Sequence, residues 1–119
     1  QEYTRWGFFE WIREEAIDII QADAIVVGGI TEWLKVAHLA DVFGLKVSPH
    51  ENWNLHSHLV AATPNALFVE YFDPAAGIKV FDKVVKDPVA PVDGYISPPT
   101  KPGYGITFNE EKIAEFRVD

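Results

Sequence analysis

The 119-residue chain has no cysteine, no methionine, a shortage of basic residues and no long apolar run. Without cysteine there is no disulfide framework, no thiolate metal site and no Cys nucleophile. Without methionine the chain does not open on a start codon unless that residue was removed; with the abrupt beginning at Gln1, the expectation is a fragment or a processed piece. No stretch approaches the roughly 18 apolar residues that span a membrane. The opening QEYTRW lacks the basic-then-apolar order of a secretory leader, so a cytoplasmic protein is expected. Ten Lys and Arg against eighteen Asp and Glu leave a net charge of −8. That balance argues against nucleic acid and anionic membranes as partners, since both are held through basic patches. The length suits one domain with one hydrophobic core.

The pattern that remains alternates helix and strand. GFFEWIREEA (7–16) places Phe8, Trp11 and Ile12 among acids, an amphipathic helix. In IDIIQADAIVVGGIT the next strand is either Ile17 to Gln21 or Ala24 to Val27, and periodicity does not choose between them. Thr31 caps a helix, TEWLKVAHLADVF, whose broad apolar face runs from Trp33 to Phe43, and Gly44 stops it. LKVS is a strand, LHSHLVAAT a short helix ended by Pro64, and ALFVEYF a last strand. Short connections between alternating elements predict parallel pairing and α/β architecture. Strands that read as continuous apolar runs predict a sheet covered on its faces. From about Asp73 the character changes. DPVAPVDGYISPPTKPGYG holds five of the eight prolines, which excludes regular helix and central strand. It predicts an extended surface segment leading to a short helix or turn at NEEKIAEF.

Three polar residues fit this pattern poorly. Glu70 lies inside LFVEYF, where a carboxylate is paired, functional or on a solvent-facing edge. His50 follows the strand LKVS, and Asp23 follows IDIIQA, each a position where a cap or loop role is ordinary. In a parallel barrel, however, consecutive strands end on one face, and that face carries the chemistry. Strands ending near Asp23, His50 and Glu70 bring an acid, an imidazole and a second acid together, which favours IDIIQA as the strand and AIVVGGI as a loop. A rival constellation, His50, Glu51, His56 and His58, has metal-ligand chemistry. In a helical pattern, though, residues i and i+2 point apart, so His58 reads as a packing or capping residue. Gly28-Gly29 lacks the dinucleotide fingerprint and reads as a turn.

With these residues identified, the chain resembles the C-terminal part of an enolase-superfamily enzyme of the mandelate racemase and muconate lactonizing family. EYTRWGF and DIIQAD resemble the segment after the fifth barrel strand and the sixth strand. GGITEWLKVAHLADVFGLKVSPH resembles the sixth helix and seventh strand, HLVAATPNALFVEYF the short helix and eighth strand, and PPTKPGYGITFN the tail returning to the capping domain. The first three motifs are most similar to acid-sugar dehydratases such as rhamnonate dehydratase. The resemblance implies about the last three strands of a TIM-type (β/α)7β barrel in residues 1–72, with a Pro-rich irregular tail in 73–119. It further implies that Asp23 and His50, 27 residues apart, are the family's catalytic dyad, with Glu70 a further 20 residues on as the acid of the eighth strand. His50 would abstract the proton next to a substrate carboxylate or assist departure of the 3-hydroxyl. Asp23 would hold its other ring nitrogen, and Glu70 would donate to the developing oxyanion.

The parent would use Mg²⁺, whose carboxylate ligands are expected upstream of Gln1, as are the capping domain and any lysine base; Glu2 is out of register for a ligand. No cofactor is expected on this piece by itself, and it should be inactive alone. The implied partners are an acid-sugar substrate for the parent and further copies of the chain, in a homo-oligomer. A racemase or epimerase, or a non-catalytic self-associating α/β domain, is the alternative.

Overall fold

The computed structural model describes residues 2–78 and 81–118. The first helix, α1 (Arg5–Arg13), buries Phe8 and Ile12, one helical turn apart, while Trp6 and Trp11 stay largely in solvent. Its first turn is pinned to the third helix: Arg5 donates through its backbone N–H and its guanidinium to the Glu32 carboxylate at 2.7–3.0 Å. Those donors hold the Glu32 carboxyl below its ordinary range, the backbone N–H contributing most and burial opposing it.

Strand β1 (Ile19–Ile20) pairs in parallel with β2 (Lys46–Val47), Ile19 opposite Lys46 and Ile20 opposite Val47. The pairing continues with Ser48 N–H to the Ile20 carbonyl at 2.9 Å. Between the strands run α2 (Ala24–Val27) and α3 (Ile30–Val42). The AIVV segment, expected as loop, is therefore a helical turn. The physical reason is Asp23, whose side chain accepts from Ile25 N–H at 2.8 Å and so caps a helix that starts immediately after the strand. Gly28 and Gly29, at φ 112° and 98°, turn α2 sharply into α3. Gly29 is consequently the N-cap and the helix begins at Ile30, which puts Thr31, expected as the cap, inside the first turn.

The stop at Gly44 is as expected. Its φ of 72° allows Gly44 N–H to reach the Asp41 carbonyl and Leu45 N–H the Ala40 carbonyl, both at 2.9 Å, the pair of bonds that closes a helix C-terminus. A Cβ at Gly44 would meet nothing within 4 Å. Gly44→Ala is thus expected to cost about 1 kcal/mol through backbone conformation alone, read as a lower urea midpoint. An unchanged midpoint would mean that the helix end relaxes to another cap.

The helices cover one side of the sheet. Ile20, Val47, Trp33, Val36, Ala37, Ala40, Val27 and Ala24 form the buried core, and Trp33 Nε1 donates to the Ala22 carbonyl at 3.0 Å, fixing the end of β1 against α3. The opposite face is open: Ile19 is 45% exposed and its pair partner Lys46 is also exposed. The expectation of a sheet covered on both faces is therefore met on one.

After β2, α4 (Trp53–Ala62) leads to the third chain segment of the sheet. ALFVEYF, expected as a strand, makes a single parallel bridge at Ala66 to Val47, with Val47 N–H to Asn65 O and Leu67 N–H to Val47 O at 3.0–3.1 Å. Beyond it a side chain takes over, Ser48 Oγ donating to Phe68 O at 3.1 Å. Apolar composition favours a strand here, but the segment is the sheet's edge and has a ladder on one side, so Leu67 and Phe68 stay exposed.

The proline-rich tail is extended, as expected, with 3₁₀ turns at Pro74–Ala76 and Phe81–Val84 and a short α5 (Glu110–Ala114) capped by Asn109. It is moored to α4: Val89 N–H donates to Asn54 Oδ1 at 2.9 Å, Trp53 Nε1 to Val89 O at 2.8 Å, and His58 Nε2 lies 3.0 Å from Tyr104 O. Among the described residues no helix is long and apolar enough to cross a membrane.

Candidate active site

The site lies at the C-terminal ends of β1 and β2. β1 runs through Gln21 and Ala22 into Asp23, and β2 through Ser48 and Pro49 into His50, so parallel pairing alone brings these two side chains to the same end of the sheet. His50 Nδ1 lies 3.5 Å from Asp23 Oδ2. Asp23 is nearly buried, whereas His50 is half exposed, at 46% of its side chain. The carboxylate is held from both sides: Oδ1 accepts from Ile25 N–H and Oδ2 from Asn52 Nδ2, each at 2.8 Å. The Asp23–His50 contact is longer than a formed hydrogen bond, a spacing common at acid–base pairs before substrate binds.

Glu70 joins the group indirectly. Its Oε2 accepts from the backbone N–H of Glu51 at 2.8 Å, the residue immediately after His50. Glu51 and Asn52 both adopt left-handed backbone, at φ 49° and 44°, which is strained for residues with a Cβ and tends to persist where surrounding contacts enforce it. Here those contacts are Glu70 on the Glu51 N–H and Asp23 on the Asn52 side chain. The structure thus places Asp23 and His50 in contact and ties Glu70 to the same turn. An open cleft of about 580 Å³ runs from Trp11 and Phe8 past Ile19 to Asp23 and His50.

Two contributors escaped sequence reasoning. Asn52 orients Asp23; its signal was an asparagine after His-Glu, the residue type most tolerant of left-handed backbone. His56, considered for a metal, is completely buried beneath the site. Its Nε2 accepts from Ala24 N–H at 3.0 Å and its Nδ1 lies 2.6 Å from Glu51 O. A backbone N–H only donates and a carbonyl only accepts, so the ring is neutral with its proton on Nδ1. Burial pushes its pKa down to about 4; the Asp23 charge opposes this and His50 adds to it. His58, on the same helix, meets the tail instead, its Nε2 3.0 Å from the Tyr104 carbonyl.

A hard divalent cation requires several oxygen ligands. Among the described residues no three His, Asp or Glu side chains converge into such a set, and both Asp23 oxygens are engaged by N–H donors. These residues do not constitute a Mg²⁺ site.

Residues 1–112 match the family described as Enolase C-terminal domain-like. The chain belongs to that family. It is part of a TIM-type barrel, about the last three strands, with its irregular tail. Among relatives, it is 33% identical to the arabinonate dehydratase of Saccharolobus solfataricus over 97% of its own length and 31% of that protein's. It is 36% identical to the L-rhamnonate dehydratase of Saccharopolyspora erythraea over 92% of its length and 29% of that protein's. Among solved structures, the L-talarate dehydratase of a Polaromonas species, in complex with Mg and L-glucarate, superposes with a TM-score of 0.80 at 35% identity, covering 93% of this chain and 29% of the other. The chain therefore spans about 30% of the length of the relatives it matches. Those relatives are acid-sugar dehydratases.

Proposed function

We propose that this chain supplies the proton-transfer part of the active site of an acid-sugar dehydratase. The observation that carries this reading is the Asp23–His50 pair, delivered to one mouth of the sheet by consecutive parallel strands and opening on a cleft. His50 Nε2, the nitrogen turned away from Asp23, takes the proton from the carbon next to the substrate carboxylate. The same imidazolium then returns a proton to the departing 3-hydroxyl, which leaves as water. The resulting enol tautomerises to a 2-keto-3-deoxy acid. Asp23, 3.5 Å from Nδ1, lies nearer than the Glu51 carboxylate, 3.8 Å from Nε2, and so favours the proton on Nδ1 and keeps the Nε2 lone pair for this work. Glu70, tied to the turn after His50 by the Glu51 N–H, donates in its protonated form to the oxyanion that develops on the substrate carboxylate. The Mg²⁺ of such an enzyme falls, in this reading, to carboxylates that the chain does not provide. Residues 73–119 serve as the strap that returns from the barrel toward a capping domain.

The test compares the 119-residue chain with the complete product of the gene that carries it. Each is incubated with Mg²⁺ and arabinonate, rhamnonate or talarate, and 2-keto-3-deoxy acid is assayed. Turnover is expected from the complete product and none from the chain alone, because the donors here do not hold the metal. Turnover by the isolated chain would overturn the division of labour, and none from either would overturn the dehydratase assignment. Exchange of the C2 proton with solvent, without loss of water, would instead indicate a racemase or epimerase.

A second reading rests on a different observation. Ile19, Leu67 and Phe68 lie exposed on the uncovered side of the sheet and along its edge, a surface that favours self-association of the chain. A sedimentation mass that stays at one chain across concentration would dismiss it.

A further inference from the structure

We propose that His56 is a positioning residue for the Asp23–His50 pair, a buried latch that fixes the two strand ends relative to each other. The inference rests on the pairing proposed above and deepens it. His56 is fully buried, yet neither ring nitrogen serves packing. Each is spent on a main-chain group of a different strand end. Nε2 takes the N–H of Ala24, the residue after Asp23, and Nδ1–H gives to the carbonyl of Glu51, the residue after His50. One rigid ring thus spans the two segments one residue beyond each member of the pair. Among the described residues the segments share no backbone bond at that level, since the ladder between β1 and β2 ends at Ser48 N–H to Ile20 O, ahead of both side chains; the ring joins them there beside the Asn52–Asp23 side-chain hydrogen bond.

The strained turn adds a second reason. Glu51 and Asn52 hold left-handed backbone without glycine, and His56 grips the carbonyl inside that turn while the Asn52 carbonyl accepts the backbone N–H of His56 itself at 2.9 Å. Helix α4 therefore starts by clamping the turn that aims His50. An apolar residue of the same size would fill the core equally well but would leave the Ala24 N–H buried and unpaired and the Glu51 carbonyl free to rotate. The ring also lies 3.5 Å from Asp23 Oδ1, so its neutral form keeps the carboxylate's attraction for His50 undivided.

The experiment reads His50 rather than stability, since any core substitution lowers stability. Ring-nitrogen NMR of the ¹⁵N-labelled 119-residue chain at neutral pH reports the tautomer of each histidine, and the His50→Gln spectrum assigns His50. Wild type is expected to show His50 with its proton on Nδ1. H56N retains a donor for Glu51, H56Q retains an acceptor for Ala24, and each breaks one arm of the latch. Both are expected to move His50 off the Nδ1–H form toward the averaged shifts of an unheld imidazole. Leu59→Ala, a core truncation on the same helix, is expected to leave them in place. Wild-type-like His50 shifts in folded H56N and H56Q overturn the latch alone. A wild-type His50 without Nδ1–H overturns the Asp23–His50 pairing, which is the failure of the reading beneath it. If neither variant folds, the wild-type chain decides. A bare His56 Nε2 with scalar coupling to the Ala24 amide sustains the latch, and a ring protonated at Nε2 overturns it.

Discussion

In the complete gene product that carries this chain, His50→Asn is expected to slow acid-sugar dehydration by about 10²–10⁴-fold, the usual contribution of one positioned acid–base group. The change should fall mainly on kcat, because in the proposed mechanism the imidazole exchanges protons in the transition state and contributes little to uniform substrate binding. It should leave folding nearly untouched, within about 0.5 kcal/mol, since the side chain is half exposed. Asp23→Asn should reach a comparable loss of kcat by a different route. The amide oxygen can still cap α2 through the Ile25 N–H, but the amide nitrogen then faces two donors, Asn52 Nδ2 and His50 Nδ1–H. The imidazole is pushed to the other tautomer, with its proton on the nitrogen that must stay bare. Asp23→Asn should therefore cost stability as well as rate, whereas His50→Asn costs rate alone. Loss of C2-proton exchange into D₂O in both variants is the decisive readout. An unchanged exchange rate in His50→Asn would assign the base to another residue.

The parts of this arrangement that were legible in the sequence are those set by local rules. Gly44 ended α3 because a left-handed residue is required there, and of the face read from Trp33 to Phe43, Trp33, Val36, Ala37 and Ala40 are buried by their helical spacing, whereas Phe43 falls at the C-cap and stays exposed. The strand ends at Asp23 and His50 followed from parallel topology. What escaped depended on neighbours. AIVV formed a helical turn because Asp23 caps it, so the residue singled out for chemistry also ends the strand. ALFVEYF has strand composition but only one strand to pair with, and ladder bonds come from partners rather than from composition. His56 was visible only as one of two histidines two residues apart on a helix. Nothing in that spacing shows that one ring will be buried between two strand ends and the other will meet Tyr104.

The buried ring also makes the fold itself sensitive to acid. His56 titrates near 6.5 when unfolded and at about 4 when folded, mainly because burial disfavours the charged ring. Between those values the unfolded chain binds more protons than the folded one, so stability rises with pH through this window and is lost as pH falls from about 6.5 toward 4. The group's contribution is complete above 6.5, and its full loss is on the order of 3 kcal/mol. The cost has a structural origin: a protonated Nε2 turns its N–H toward the Ala24 N–H, and two donors then face each other in the core. The charged groups facing the ring work in opposite directions, Asp23 favouring protonation and His50 opposing it. Urea unfolding at steps from pH 7.5 to 4 is expected to show the midpoint falling steeply below 6.5 in the wild-type chain. In H56Q, which has no proton to take up, the same stretch should be markedly flatter even though the chain starts from lower stability. Parallel curves for the two proteins would show that the acid sensitivity belongs to the carboxylates, leaving the neutral ring without a part in it.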